Sequence, residues 1–147
     1  MKNLQVILFL VLILWSWSCK TQPDQSNKEQ KAETTATVIS EVMTPAKFQA
    51  KMEELGDEQL IDVRTPEEYQ AGMIPDAENI NVLADDFAEQ AKKLDKNKPV
   101  MVYCRSGRRS ARAASTLKDL GFTEIYDLDG GFISWTKNNL PTKTPSN

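Results

Sequence analysis

The chain has 147 residues, enough for one domain and short for two. It is 40% hydrophobic and 27% charged, the make-up of a globular protein, and its 18 Lys and Arg against 21 Asp and Glu leave a net charge of −3. That balance argues against nucleic acid as the main partner, and the lack of any histidine excludes Ser-His-Asp catalysis, Cys-His catalysis and imidazole-held metals.

The first segment, residues 1–18, opens with Lys2 and continues as an apolar run from Leu4 to Trp17, broken only by Gln5 and Ser16. Such a run is short of the ~20 residues that span a bilayer. It fits the apolar core of a signal peptide. Ser16 and Ser18 precede Cys19, and the segment resembles a bacterial lipoprotein signal, in which the cysteine is lipidated and becomes the mature N-terminus. It departs from that pattern in having Ser16 where leucine is usual. A plain secretory signal and an uncleaved anchor are the alternatives. Residues 19–37 are polar and nearly free of large apolar groups, too little to bury and hold an ordered structure. They are expected to form a flexible tether to a folded domain at 38–141, followed by a tail at 142–147.

Within the domain, residues 38–43 are a weak strand candidate. Thr44-Pro45 reads as a helix cap followed by proline at the first helical position. Phe48, Met52 and Leu55 then recur at helical spacing, and Gly56 stops the helix. Residues 59–64, QLIDVR, form a short apolar run of the kind found in strands covered on both faces. TPEE at 65–68 has the form of a capping box, with Thr65 at the cap and Glu68 three residues on. Glu67 and Glu68, like Glu53 and Glu54, read as solvated helix faces. Phe87, Ala91 and Leu94 repeat the helical spacing. Residues 99–104, PVMVYC, are the second clear strand. Ala113, Leu117 and Leu120 mark a helix ended by Gly121, and residues 123–128 are another weak strand. Asp129 reads as the cap of a last helix closed by Pro141, with Phe132 and Trp135 packing it onto a sheet. Strand–helix alternation implies a single α/β layered domain, whose ligands sit beyond the carboxyl ends of the strands. Cys104 falls at such an end.

RSGRRS follows Cys104 directly, and a helix begins where that loop stops. Three effects then converge on one sulfur. A helix N-terminus offers unpaired N–H groups and a partial positive charge. A loop containing Gly107 can turn its amides inward as an anion nest. Arg105, Arg108 and Arg109 add full charges. Each favours thiolate over thiol. The bland alternative is a buried strand-end cysteine beside solvated arginines. Cys19 and Cys104 are the chain's only cysteines, which suits neither a disulfide framework nor a zinc site. The arginines also read as docking groups for an anionic substrate. Ser106 and Ser110 offer hydroxyls, although Ser110 could instead cap the helix. Asp62 and Arg64 read as structural, linking a strand end to neighbouring loops.

Three blocks in order, DVRTPEEYQAGMIPDAENIN (62–81), CRSGRRS (104–110) and LDGGFISW (128–135), resemble the signatures of rhodanese-like domains of the single-domain sulfurtransferase kind. The chain departs from them at Met73, where histidine is frequent, and at Asp76, where glycine is frequent. The resemblance implies a central, mostly parallel five-stranded sheet flanked by helices on both faces. It implies a ping-pong reaction in which Cys104 takes the sulfane sulfur of thiosulfate or a similar donor as a persulfide. A thiol or cyanide acceptor then removes that sulfur. Arg105, Ser106, Gly107, Arg108, Arg109 and Ser110 would bind the substrate. No cofactor or metal is implied. With lipid on Cys19, the protein would be anchored in a bacterial cell envelope, facing the periplasm or the exterior. Two other functions are open. One is a non-catalytic binding or sulfur-relay module of the same fold. The other is a phosphatase or arsenate reductase relative, whose loop runs Cys, five residues, Arg. Here the sixth position after Cys104 is Ser110 and the last loop arginine is Arg109.

Overall fold

Residues 100–103 are Val-Met-Val-Tyr, and such a run is stable only where both faces of its sheet are covered. In the computed structural model, which describes residues 37–145, all four are buried. The expected signal segment, Cys19 and nearly all of the expected tether lie outside the described residues. The described part belongs to one unit, Thr35–Asn147. Its elements in chain order are β1 (Ile39–Met43), α1 (Pro45–Leu55), β2 (Gln59–Asp62), α2 (Pro66–Gln70), β3 (Glu78–Asn79), α3 (Phe87–Ala91), β4 (Val100–Tyr103), α4 (Arg108–Asp119), β5 (Glu124–Leu128) and α5 (Gly131–Lys137).

The five strands form one sheet in the order β1-β5-β4-β2-β3, and every neighbouring pair is parallel. β4 is the middle strand, so its carboxyl end opens at the centre of the sheet edge. Its side chains alternate between two cores. Val100, Val102 and Cys104 join a cluster with Ala113, Leu117 and Phe122 on the α4 side. Met101 and Tyr103 join Phe48, Leu128 and Trp135 on the side of α1 and α5. Helices therefore cover both faces, as the fold expectation requires.

Local signals placed most boundaries. Gly56 takes a left-handed conformation at the end of α1 (φ 67°). Both hydrogen bonds of the Thr65/Glu68 capping box are formed at the start of α2. Thr44 is at the cap of α1 but its side chain makes no cap hydrogen bond. α3 ends at Ala91, and Leu94 packs on the core from the turn beyond it. The last helix starts later than Asp129 implies: the cap is Gly130 and α5 begins at Gly131. The reason lies in the site, described below. Asp76 has φ 64°, a left-handed conformation that glycine adopts without cost and that aspartate is among the few other residues to adopt. Met73 is buried, and its N–H and carbonyl pair with those of Lys143 at 2.8 and 2.9 Å, which ties this turn to the C-terminal segment.

Candidate active site

Cys104 is the first residue past β4, and Arg105, Ser106 and Gly107 form the loop that leads into α4. Gly107, at the cap of α4, has φ 99°, which turns its N–H back over the strand end. That N–H donates to Cys104 Sγ at 3.1 Å. Cys104 is 1% exposed. Burial pushes its thiol up, but the Ser110 hydroxyl and the amides of Ser110, Ser106 and Gly107 around the sulfur outweigh burial and hold the thiol below its ordinary value. The anion is therefore favoured mainly by a nest of loop and first-turn donors.

The three loop arginines differ. Arg105 and Arg108 are exposed and form no ion pair among the described residues. Arg109 donates through Nη1 and Nη2 to Glu68 Oε2 and Oε1 at 2.7 and 2.8 Å, a bidentate pair. The pairing holds the Glu68 carboxyl down at about 2, and the same guanidinium faces Cys104. This corrects the reading of Glu68 as a solvated helix face. Glu68 also accepts the Thr65 N–H at 3.1 Å, so one carboxylate caps α2 and steadies an arginine beside the sulfur. Glu67, Glu53 and Glu54 are exposed, as that reading has them. Ser110 is not a helix cap: it is the third residue of α4, buried, and its hydroxyl donates to the Gly107 carbonyl at 2.9 Å.

The start of α5 holds the other side of the loop. Phe132 N–H donates to the Cys104 carbonyl at 2.8 Å and Ile133 N–H to the Arg105 carbonyl at 3.1 Å. With those carbonyls bound outward, the following amides are left to face the sulfur. So close an approach leaves no room for a side chain at Gly131, where a Cβ would lie 2.4 Å from the Cys104 carbonyl oxygen and 2.7 Å from Ser106 N. This contact, and not a capping side chain, sets where α5 begins.

Beneath the loop, Asp62 and Arg64 form a buried pair, with Arg64 Nε 2.9 and 3.0 Å from the two carboxylate oxygens. Arg64 also donates to the Gly72 carbonyl at 2.6 Å and lies 4.2 Å over the Phe132 ring. It thus joins the end of β2 to the turn after α2 and to α5. Phe132 stacks on Tyr103 (6.2 Å), and Trp135 packs edge-on against Phe48 while donating to the Pro141 carbonyl at 2.8 Å. Both aromatic residues pack helix against sheet. The structure thus gathers Cys104, Ser106, Gly107, Arg109 and Ser110 around one sulfur. Arg105 and Arg108 point to solvent at the rim.

A family model for the Rhodanese-like domain matches residues 44–138. The chain is 37% identical over 86 residues to a sulfurtransferase of Allochromatium vinosum, a match spanning 58% of this chain and 78% of that protein. It is 36% identical over 85 residues to the thiosulfate sulfurtransferase GlpE of Pseudomonas syringae, spanning 58% and 77%. A rhodanese-related protein of Thermoplasma volcanium, solved by crystallography, superposes with a TM-score of 0.62 at 30% identity, over 71% of this chain and 98% of that one.

Proposed function

The chain belongs to the Rhodanese-like domain family, and from that premise we propose that it is a sulfurtransferase working through a persulfide on Cys104. The observation that carries this reading is the set of donors around one sulfur: the Gly107 amide at 3.1 Å, with the Ser106 and Ser110 amides and the Ser110 hydroxyl beside it. A thiolate held this way is a nucleophile that needs no adjacent base, which fits a chain without histidine.

Cys104 thiolate attacks the outer sulfur of thiosulfate. A new S–S bond forms, the old one breaks, and sulfite leaves with the electron pair. The persulfide is itself an anion, and the same donors face it. A thiolate or cyanide acceptor then attacks the terminal sulfur, and Cys104 departs again as thiolate. The name of the Pseudomonas syringae relative, a thiosulfate sulfurtransferase, supports the donor class. Arg105 and Arg108, exposed at the rim, are the groups offered to an approaching anion. Lipid on Cys19 would hold this chemistry at a cell envelope.

Incubation with thiosulfate should add the mass of one sulfur atom to the Cys104 peptide, and cyanide should remove it with release of thiocyanate. Cys104→Ser should abolish both. If thiosulfate, a thiosulfonate and a polysulfide all leave Cys104 unmodified in folded protein, the reading fails and the domain is a binding module.

A further inference from the structure

Asp127 has no part in the scheme above, yet it is 6% exposed and its Oδ1 is buried without a hydrogen-bond partner. Buried polar groups in native proteins are nearly always paired, and an unpaired carboxyl calls for an explanation. Asp127 is opposite Val102 in the β4–β5 register. Strand alternation puts it on the same face as Ile125, toward the cluster that holds Val102 and Cys104 under α4. The polar side chain beside its carboxyl is Ser110, fully buried, whose hydroxyl also faces Cys104 Sγ. In this structure that hydroxyl donates to the Gly107 carbonyl. One hydroxyl proton thus has one formed acceptor, the carbonyl, and two neighbouring groups that compete for it, the sulfur and the carboxyl. Among the described residues, the other groups acting on this carboxyl include no cation. Asp129 adds a second negative charge from beyond β5, β1 brings Val42 opposite, and β4 brings Val102.

We propose that Asp127 is a positioning residue that sets the direction of the Ser110 hydroxyl and so the stability of the Cys104 anion. As a neutral acid, Asp127 donates to Ser110 Oγ and leaves the Ser110 O–H aimed at the sulfur. As a carboxylate, it draws that O–H to itself and places a second buried charge near the thiolate. Carboxylate and thiolate then compete for one donor, and the two titrate as a coupled pair. Burial pushes the Asp127 carboxyl up to about 6, against a smaller opposing effect of Ser110, so it exchanges its proton within the range over which the assay below is run, and the Cys104 thiol lies below its ordinary value. The proposal rests on Cys104 being a thiolate and on no particular sulfur donor.

The test is the rate of iodoacetamide alkylation at Cys104, read from the mass of its peptide in detergent-solubilised full-length protein, from about pH 4 to about pH 9. The wild type should show a broad profile with two inflections. Asp127→Asn, neutral at every pH, should show one inflection at lower pH. At about pH 6 its rate should be about threefold higher or more, the effect of half a pKa unit. Ser110→Ala should slow alkylation and remove the response to Asp127→Asn. A profile of Asp127→Asn that overlays the wild type overturns the proposal. So does an equal acceleration in the Ser110→Ala background, which would mean that the charge acts on the sulfur directly. If Asp127→Asn does not fold, the wild-type profile decides, and a single inflection there is the negative result. Alkylation consumes no sulfur donor, so a protein that failed to form a persulfide would still give this readout.

Discussion

Arg109 spends both of its terminal nitrogens on Glu68, so it cannot grip a substrate anion with the same pair without giving up the carboxylate. Its contribution is to keep a positive charge in a fixed place beside Cys104. Glu68 is the residue that fixes it, and the ion pair leaves a signature in acid. The Glu68 carboxyl titrates at about 2 in the folded chain against 4.5 as its ordinary value. A carboxyl depressed on folding stabilises the native state fully above its unfolded value, and that contribution disappears as pH falls through the folded one. Glu68→Gln should therefore lower stability by about 1 kcal/mol near neutrality, a modest figure because both partners stay partly in water. The gap between variant and wild type should close as pH drops from about 4.5 to about 2. Urea midpoints measured across that range check it. A gap independent of pH would mean that the Arg109 pair adds nothing beyond an uncharged hydrogen bond.

At the scale of elements, the loop after β4 is shaped from two sides, by the first turn of α4 and by the first turn of α5. The second clamp is the more exacting. Gly131→Ala would drive a methyl group into the Cys104 carbonyl and the Ser106 amide, and the loop backbone has to move. Misplacing a reacting group by around 1 Å costs on the order of a hundredfold in rate. Persulfide formation from thiosulfate should fall by at least about tenfold in Gly131→Ala while the far-ultraviolet dichroism stays that of the folded domain. A wild-type rate would show that α5 does not shape the nest. The same contact explains where the sequence was legible and where it was not. β2 and β4 stood out because each has adjacent apolar residues buried on both faces of the sheet, Leu60 and Ile61 in β2 and all four residues of β4. β1 is an exposed edge, with only Met43 of its five residues buried, and its pattern is correspondingly faint. β3 has two residues and leaves no pattern to find. Asp129 had the right residue type for a cap, but the start of α5 is dictated by a neighbouring loop that local sequence does not contain. Glu68 already had a local explanation in the capping box, and its partner is 41 positions away. Asp127 sat inside a strand, where nothing marks a carboxyl as facing the core.

For the whole molecule, the lipid anchor proposed at Cys19 and the sulfur chemistry proposed at Cys104 are separate claims. Both hydrophobic cores are built from Met43 onward among the described residues, and the site draws only on β2, β4, β5, α2, α4 and α5 with their loops. Among the described residues, the geometry around Cys104 is complete within the one unit, Thr35–Asn147. Anchoring and sulfur chemistry should therefore separate cleanly. Expressed in a bacterium with its signal, the wild type should carry lipid on Cys19 and sediment with membranes, because each buried methylene of an acyl chain contributes about 0.8 kcal/mol. Cys19→Ser should lose metabolic labelling with a clickable fatty acid and move to the soluble fraction. Its Cys104 should still gain sulfur from thiosulfate at the wild-type rate. Cys19→Ser that stays in the membrane with an uncut N-terminus would identify the apolar run as an anchor. A wild type that is soluble and unlabelled would make it a plain secretory signal. In either case Cys104 keeps its surroundings, because the donors that favour its anion all lie between Ser106 and Ser110.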